Sequence, residues 1–367
     1  MSDRADDAKD ALLAEAAGLS EAAAQPVPGV GDLLSYLHAY YRHVPLEDLT
    51  PASPARIRAV AIEHARLAAG RPQGRALVRV RQAAEGAAFA VGRAVVDIVT
   101  DDMPFLVDSV TMALARHELD GDLVIHPQLL VRRNVAGELH AVAGPLSDAD
   151  HGAGGGDADG NGGDGDGPIT ESWTHIEIAA RPGAIRAAEL EQELRSVLHD
   201  VRVAVEDYPR MQVMAVRLAD RLAAEEGPRV PAETQALLRW LADDHFTFLG
   251  YREYDLTGGP DGMALLAVAG TGLGILRHDR HSSNSFAALP PEVRARAMEP
   301  QRLILTKANS RSTVHRPSYL DYVAVKRIDE TGRVRGEYRF LGLYTHAAYH
   351  ESITRIPVLR RKLDSVL

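Results

Sequence analysis

The stretch VTDDMPFLVDSV, residues 99–110, sets three carboxylates around a short apolar core that contains a proline. Asp101 and Asp102 precede Pro104, and Asp108 follows Phe105, Leu106 and Val107. Upstream, AVVDIVT (94–100) has the β-branched run of a buried strand. Downstream, PFLVDSVTMALARHEL (104–119) repeats Leu106, Val110, Ala113 and Leu114 on one helical face. The stretch is therefore a strand-to-helix turn. Asp101 or Asp102 suits the helix cap and Pro104 its first turn, and acids there complement the helix dipole. The same turn can present backbone N–H groups to a ligand carboxylate. A capping turn and a ligand turn are both open at this point.

Working outward, residues 1–28 are Ala- and Asp-rich and read as a flexible N-terminus with a frayed helix. A helical region follows over 29–74. Its first helix carries Leu33, Leu34, Leu37, Tyr40 and Tyr41 at helical spacing and ends at Pro45; its second opens at Ser53-Pro54 and closes at Gly70. From Arg75 the period changes, and ALVRVRQ alternates. Past the helix of residues 104–119, DLVIHPQLLVRRN is a strand that Pro127 bends or confines to an edge. ESWTHIEIA alternates, with Trp173, His175 and Glu177 facing one way and Thr174, Ile176 and Ile178 the other. PGAIRAAELEQELRSVLHD is an amphipathic helix, and VRVAVED (201–207) reads as a further strand.

That order, strand, helix, strand, strand, helix, strand, predicts an α+β fold: a ferredoxin-like βαββαβ module over 75–207 with an antiparallel four-stranded sheet. The run of Asp and Gly at 147–168 falls where a hairpin belongs and reads as a disordered insertion. Residues 208–232 are assigned to a linker or helix. Residues 233–367 form a second mixed α+β module rich in strands, which looks cut from something longer.

Length favours two or three domains. No apolar run approaches about 18 residues, which argues against a membrane span. The N-terminus lacks a secretory signal pattern, and there is no cysteine, so a cytoplasmic protein is expected. The net charge of −10 owes much to the six Asp of the 147–168 run, whereas residues 301–367 hold 13 Lys or Arg against six acids. Those basic residues sit singly between apolar ones, as on the wet face of a strand, and no nucleic-acid partner is expected.

Other chemical patterns are weak. DADGNG (157–162) matches half of an EF-hand loop, but Pro168 stands where the bidentate Glu belongs. GTGLG (270–274) lacks the third glycine and following helix of a dinucleotide fingerprint and reads as a glycine hairpin. His346 and His350 have helical metal-ligand spacing but no third ligand placed by sequence. No catalytic, cofactor-binding or metal-binding residue is assigned.

Several long stretches carry a resemblance: YYRHVPLEDL, VTDDMPFLVDSV, ESWTHIEI, HFTFLGYREYDL, GTGLGILR, LTKANSRSTVHRPSYLDYV and FLGLYTHAAYHESITRIPVLRRK. Over these the chain resembles the N-terminal, non-catalytic segment of the large bacterial NAD-specific glutamate dehydrogenases, whose N-terminal part looks like a series of ACT-type ferredoxin-like modules. The ACT turn reads Asp-x-Pro-Gly-Leu-Leu; Asp102, Pro104 and Leu106 match it, and Phe105 replaces the glycine, placing a side chain where an effector would sit. The resemblance implies an effector site at Asp101, Asp102, Met103, Pro104, Phe105, Asp108 and Ser109 for a small amino acid. It also implies a regulatory and assembly role in an oxidoreductase whose catalytic domain lies elsewhere in the same polypeptide. NAD would then serve the complete enzyme and not this segment, and a homo-oligomer is expected. The alternative is a self-standing amino-acid sensor or scaffold built on the same module.

Overall fold

The computed structural model describes residues 2–19, 26–82, 93–145, 167–179, 185–224, 232–258, 263–278, 299 and 301–360. It is a mixed α+β protein with two antiparallel sheets, in two compact units, Met1–His199 and Asp200–Leu367. The expected insertion lies outside the described residues over 147–166, and with it the DADGNG loop.

In the first unit, helices α1 (Ser2–Gly18), α2 (Leu33–Tyr41), α3 (Leu46–Leu49) and α4 (Pro54–Ala68) share one apolar core with the sheet. The caps are as the residue types demand: Asp32 accepts from Ser35 N at 2.8 Å, and Ser53 accepts from Arg56 N at 3.3 Å ahead of Pro54. Two tyrosines of α2 fasten it to α4, since Tyr36 Oη donates to Ala61 O and Tyr41 Oη to Ile57 O, each at 2.8 Å. Buried hydroxyls need such acceptors.

The first sheet contains β1 (Leu77–Gln82), β2 (Ala94–Asp101), β3 (Gly121–Ile125), β4 (Gln128–Arg133), β5 (Leu139–Pro145) and β6 (Ile169–Ile178). Its order is β1-β2-β6-β4-β5, with β3 also on β6. Helix α5 (Leu106–Arg116) connects β2 to β3. The single strand expected around Pro127 is two pieces, both paired with β6, and Pro127 O between them accepts from Trp173 N at 3.1 Å. Pro127 interrupts the strand: β3 before it pairs with β6, and β4 after it lies between β6 and β5.

The larger correction concerns residues 201–207, expected as the closing strand. They belong to α6, a continuous helix over Ala187–Ala224 that passes through Pro209. Leu190, Leu194, Val197, Val201, Ala204, Met211, Ala215, Leu218 and Leu222 are all buried, a spacing of three and four that only a helix brings to one face. The edge position beside β2 is filled instead by β1, which comes before it in the chain. The observed sheet is thus not the βαββαβ chain order expected from sequence.

The second unit holds α7 (Ala232–Trp240), a π turn at Leu241–His245, and a six-stranded sheet of order β10-β11-β12-β7-β8 with β9 on β7. These strands are β7 (Phe246–Thr257), β8 (Ala264–Ala267), β9 (Leu273–Gly274), β10 (Leu303–Arg311), β11 (Tyr319–Ile328) and β12 (Val334–Tyr344); α8 (His346–His350) follows. Met211, Leu218 and Leu222 pack with Phe246, Phe248, Tyr251 and Phe340 in its core.

Candidate functional site

The turn at 102–105 sits where β2 leaves the sheet. Asp101 and Asp102 do not occupy the N-cap position of α5. Asp101 Oδ1 takes Arg71 Nη2 at 2.6 Å, and Asp102 Oδ2 takes Gln128 Nε2 at 2.9 Å while its backbone N donates to Thr170 O at 3.1 Å. The residue at the N-cap is Phe105, with φ 70° and ψ 5°, whose own side chain makes no capping hydrogen bond. Both acids precede that position, and Arg71 and Gln128 are among the groups that hold them. Phe105 therefore holds the left-handed conformation that favours glycine, which costs an ordinary residue roughly 1–2 kcal/mol. Only the backbone shape of the glycine survives.

Pro104 is exposed, Met103 half-buried, and Asp108 exposed in the first turn of α5, where its charge faces the positive helix end. Ser109 is buried. Its backbone N donates to Phe105 O at 3.0 Å. Beside the turn stand residues that sequence reading did not select. His126 Nε2 lies 2.5 Å from Ser172 Oγ. Burial lowers the His126 pKa from its ordinary value; Asp102 opposes that shift and His43 adds to it. A neutral imidazole, a hydroxyl, a carboxamide and a carboxylate thus meet at one end of the sheet, a set able to hydrogen-bond a small polar ligand.

Behind the turn lies a buried ion cluster. Glu171, fully buried, receives Arg71 Nε and Nη2 at 2.8 and 2.6 Å, Arg133 Nε and Nη2 at 2.6 and 2.8 Å, and Trp173 Nε1 at 2.9 Å. Burial alone would raise its pKa, but the Arg133 bonds and the charges of Arg71 and Arg133 hold it below the ordinary value. Through Arg71 this cluster fixes Asp101 and so the start of the turn.

A second buried network crosses β2 and β6. His175 Nδ1 donates to Asp97 Oδ1 at 2.7 Å, and Asp97 Oδ2 takes Arg81 at 2.7 Å and Arg79 at 3.1 Å. His64 Nδ1 accepts from Tyr40 Oη at 2.8 Å and its Nε2 donates to Ile98 O at 3.1 Å. Burial pushes His64 down to about 4, against the pull of Asp97. His175 is also penalised by burial, yet Asp97 and Glu177 carry its pKa above the ordinary value. His64, Asp97 and His175 each offer a ligand atom, all within 4.8 Å of one another. The donor chemistry does not suit a metal, because both His64 nitrogens and both Asp97 oxygens are engaged and two guanidiniums already neutralise Asp97.

The remaining patterns resolve as local structure. Gly274, with φ 58°, pairs in β9 and donates its N–H to Asp207 Oδ2 at 2.8 Å; an added Cβ would lie 2.1 Å from Leu249 O. His346 and His350 stack at 3.8 Å between centroids, and His350 Nδ1 donates to His346 O at 2.9 Å.

Residues 36–194, which include the turn and both buried networks' central strands, match the family described as the ACT1 domain of glutamate dehydrogenase. The chain is 35% identical over 279 residues to the NAD-specific glutamate dehydrogenase of Pseudomonas aeruginosa and 34% identical over 277 residues to that of Halomonas elongata. Each alignment covers 74% of this chain and 16% of the relative. The NAD-specific glutamate dehydrogenase of Mycobacterium tuberculosis is 26% identical over 309 residues, covering 83% of this chain and 17% of that protein. The chain thus spans about a sixth of the length of these curated relatives. Through its ACT1 domain and the residues beyond it, the chain belongs to the NAD-specific glutamate dehydrogenase family.

Proposed function

We propose that this chain is a regulatory and assembly segment of an NAD-dependent glutamate dehydrogenase, which converts L-glutamate, NAD and water to 2-oxoglutarate, ammonium and NADH. The observation that supports this most is the ACT1 match over 36–194, which includes a sheet whose strand-to-helix turn is held by the Arg71–Asp101 ion pair and the Gln128–Asp102 hydrogen bond. In this reading hydride transfer and NAD binding belong to a catalytic domain elsewhere in the same polypeptide. The enzyme works as a cytoplasmic homo-oligomer. Among the described residues, no helix is long and apolar enough to cross a membrane.

The turn is the proposed effector contact. Backbone N–H groups at the start of α5 would receive an amino acid's carboxylate. Asp102 or Asp108 would receive its ammonium. Met103, Pro104, Phe105 and Ser109 would form the wall, with Phe105 restricting the size of the ligand.

Purified chain 1–367 should neither reduce NAD with glutamate nor bind NAD in calorimetry. Glutamate-dependent turnover by that chain would defeat the proposal. A calorimetric screen of amino acids against the same chain tests the effector contact. If none binds below millimolar concentration, the segment is an assembly element and not a sensor.

A further inference from the structure

The second unit has a polar cleft of about 240 Å³ beside the β11–β12 hairpin. Arg302, Lys326, Arg327 and Arg335 line it, with Asp329 as the acid in the lining and Leu222, Ile328 and Tyr338 as its apolar part. Several of these cations have partners. Arg327 pairs with Asp255 and Arg335 with Asp329, both at 2.7 Å, and Lys326 Nζ donates to Glu299 O at 2.8 Å. Even so, the lining carries more positive than negative charge.

A second feature points the same way. Two guanidiniums lie near the Tyr338 ring, Arg221 at 5.4 Å and Arg327 at 5.7 Å from its centroid. Arg221 Nη1 also contacts Tyr338 Oη at 2.5 Å. Arg221 is thus a further cation beside a lining residue. Lys326 is buried, and burial draws its ammonium below the ordinary pKa against the charges of Glu299 and Glu337. Asp255, Asp329, Glu299 and Glu337 offset part of this positive charge, so an entering anion competes with them for the lining cations.

We infer that this cleft is a binding site for a phosphate-type polyanion, held by Arg302, Lys326, Arg327 and Arg335 at the base of the β11–β12 hairpin. Guanidinium forks match phosphoryl oxygens bidentately, and the buried Lys326 supplies a compact charge. A diphosphate suits the number of cations better than a singly charged carboxylate does. The diphosphate is either free or borne by a nucleoside, whose ring would have the Leu222, Ile328 and Tyr338 side to lie on. This site is separate from the turn at 102–105, and its test does not depend on the effector reading.

The experiment uses chain 1–367, with inorganic pyrophosphate and ADP as probes at constant ionic strength, followed by calorimetry and by melting temperature. Pyrophosphate should bind at submillimolar concentration and raise the melting temperature, whereas potassium chloride at matched ionic strength should not. Arg327→Gln and Arg335→Gln change partly or mostly exposed side chains and should fold. Each should weaken pyrophosphate binding about tenfold, the loss expected for one charge-assisted contact. Equal affinities for the two probes identify the free diphosphate, and tighter ADP binding identifies the nucleoside-borne form. Binding of pyrophosphate no stronger than chloride, or binding that both variants retain in full, overturns the assignment.

Discussion

The two sheets differ in what fills their buried centres, although both bury some charge. The first runs charge through its middle: Arg71, Glu171, Arg133, Asp97 and His175 are all buried and hold one another. The second packs rings, with centroid distances of 5.1 Å for Phe246–Phe248, 5.7 Å for Phe248–Phe340 and 4.8 Å for Tyr251–Phe340. Several of its ion pairs lie at partly open margins, such as Lys307–Asp321 and Arg327–Asp255. A ring core gains from area and tolerates approximate fits. A charge core tolerates no missing partner, because an unpaired buried ion keeps its full desolvation penalty. The difference concerns what each unit responds to: the first should feel pH and single-charge changes, the second volume.

The largest expected effect comes from Glu171→Gln. It leaves Arg133 buried without this anion and Arg71 with Asp101, and should cost about 3–5 kcal/mol in chemical denaturation. Phe340→Ala should cost a similar amount by opening a cavity, about 3–5 kcal/mol. Its cost should stay constant between pH 5 and 8. If Glu171→Gln costs less than about 1 kcal/mol, the typical change for a point mutant, the contrast between the two cores fails.

The next effect is the pH dependence carried by His64. Its folded pKa of about 4 lies below the unfolded value of 6.5, so the unfolded state binds more protons between them. Stability should fall as pH drops from 6.5 to 4, by about 3 kcal/mol in total. His64→Gln should flatten that limb of the profile. Asp97, Tyr40, His175 and Arg79 surround the ring and remain in the variant, and a limb unchanged by the substitution would assign the effect elsewhere. His175 has the opposite sign. Its raised pKa stabilises the fold fully below pH 6.5 and loses that contribution as pH rises through the folded value.

Smaller effects test the turn. Phe105→Val forces a β-branched residue to φ 70° and should be about 1–2 kcal/mol less stable than Phe105→Gly. Equal stabilities would show that the side chain and not the backbone decides this position. Asp108→Asn, on an exposed residue, should shift stability by less than about 0.5 kcal/mol and should remove any amino-acid effect on melting temperature.

Much of the first sheet's surroundings was legible in the sequence. Ser53-Pro54 opens α4, and the alternation of ESWTHIEI is β6. Residues 201–207 misled because VRVAVED alternates over seven residues, whereas the deciding period extends from Leu190 to Leu222. A short window cannot distinguish the two. The ion clusters escaped notice for another reason. Arg71 and Glu171 are 100 residues apart, and their pairing exists only through the sheet. One local signal was available: Trp173, His175 and Glu177 share a face of β6, and a polar face on a strand buried on both sides requires partners. Phe105 could not be read as left-handed from its own identity, since that conformation is imposed by the turn around it.

The position of β6 bears on the order in which the molecule is made. During synthesis β1 and β2 can pair as a hairpin, and β4 and β5 as another, well before residue 169 leaves the ribosome. Neither hairpin touches the other within the ladder until β6 arrives and pairs with β2, β3 and β4 together. The last strand to emerge is therefore the central one. It brings Glu171, His175 and Glu177 to strands and helices where Arg71, Arg133, Asp97 and Arg56 already wait. Until then those arginines and Asp97 remain exposed to water, and a nascent chain halted before residue 169 should be open to proteolysis across its whole first unit.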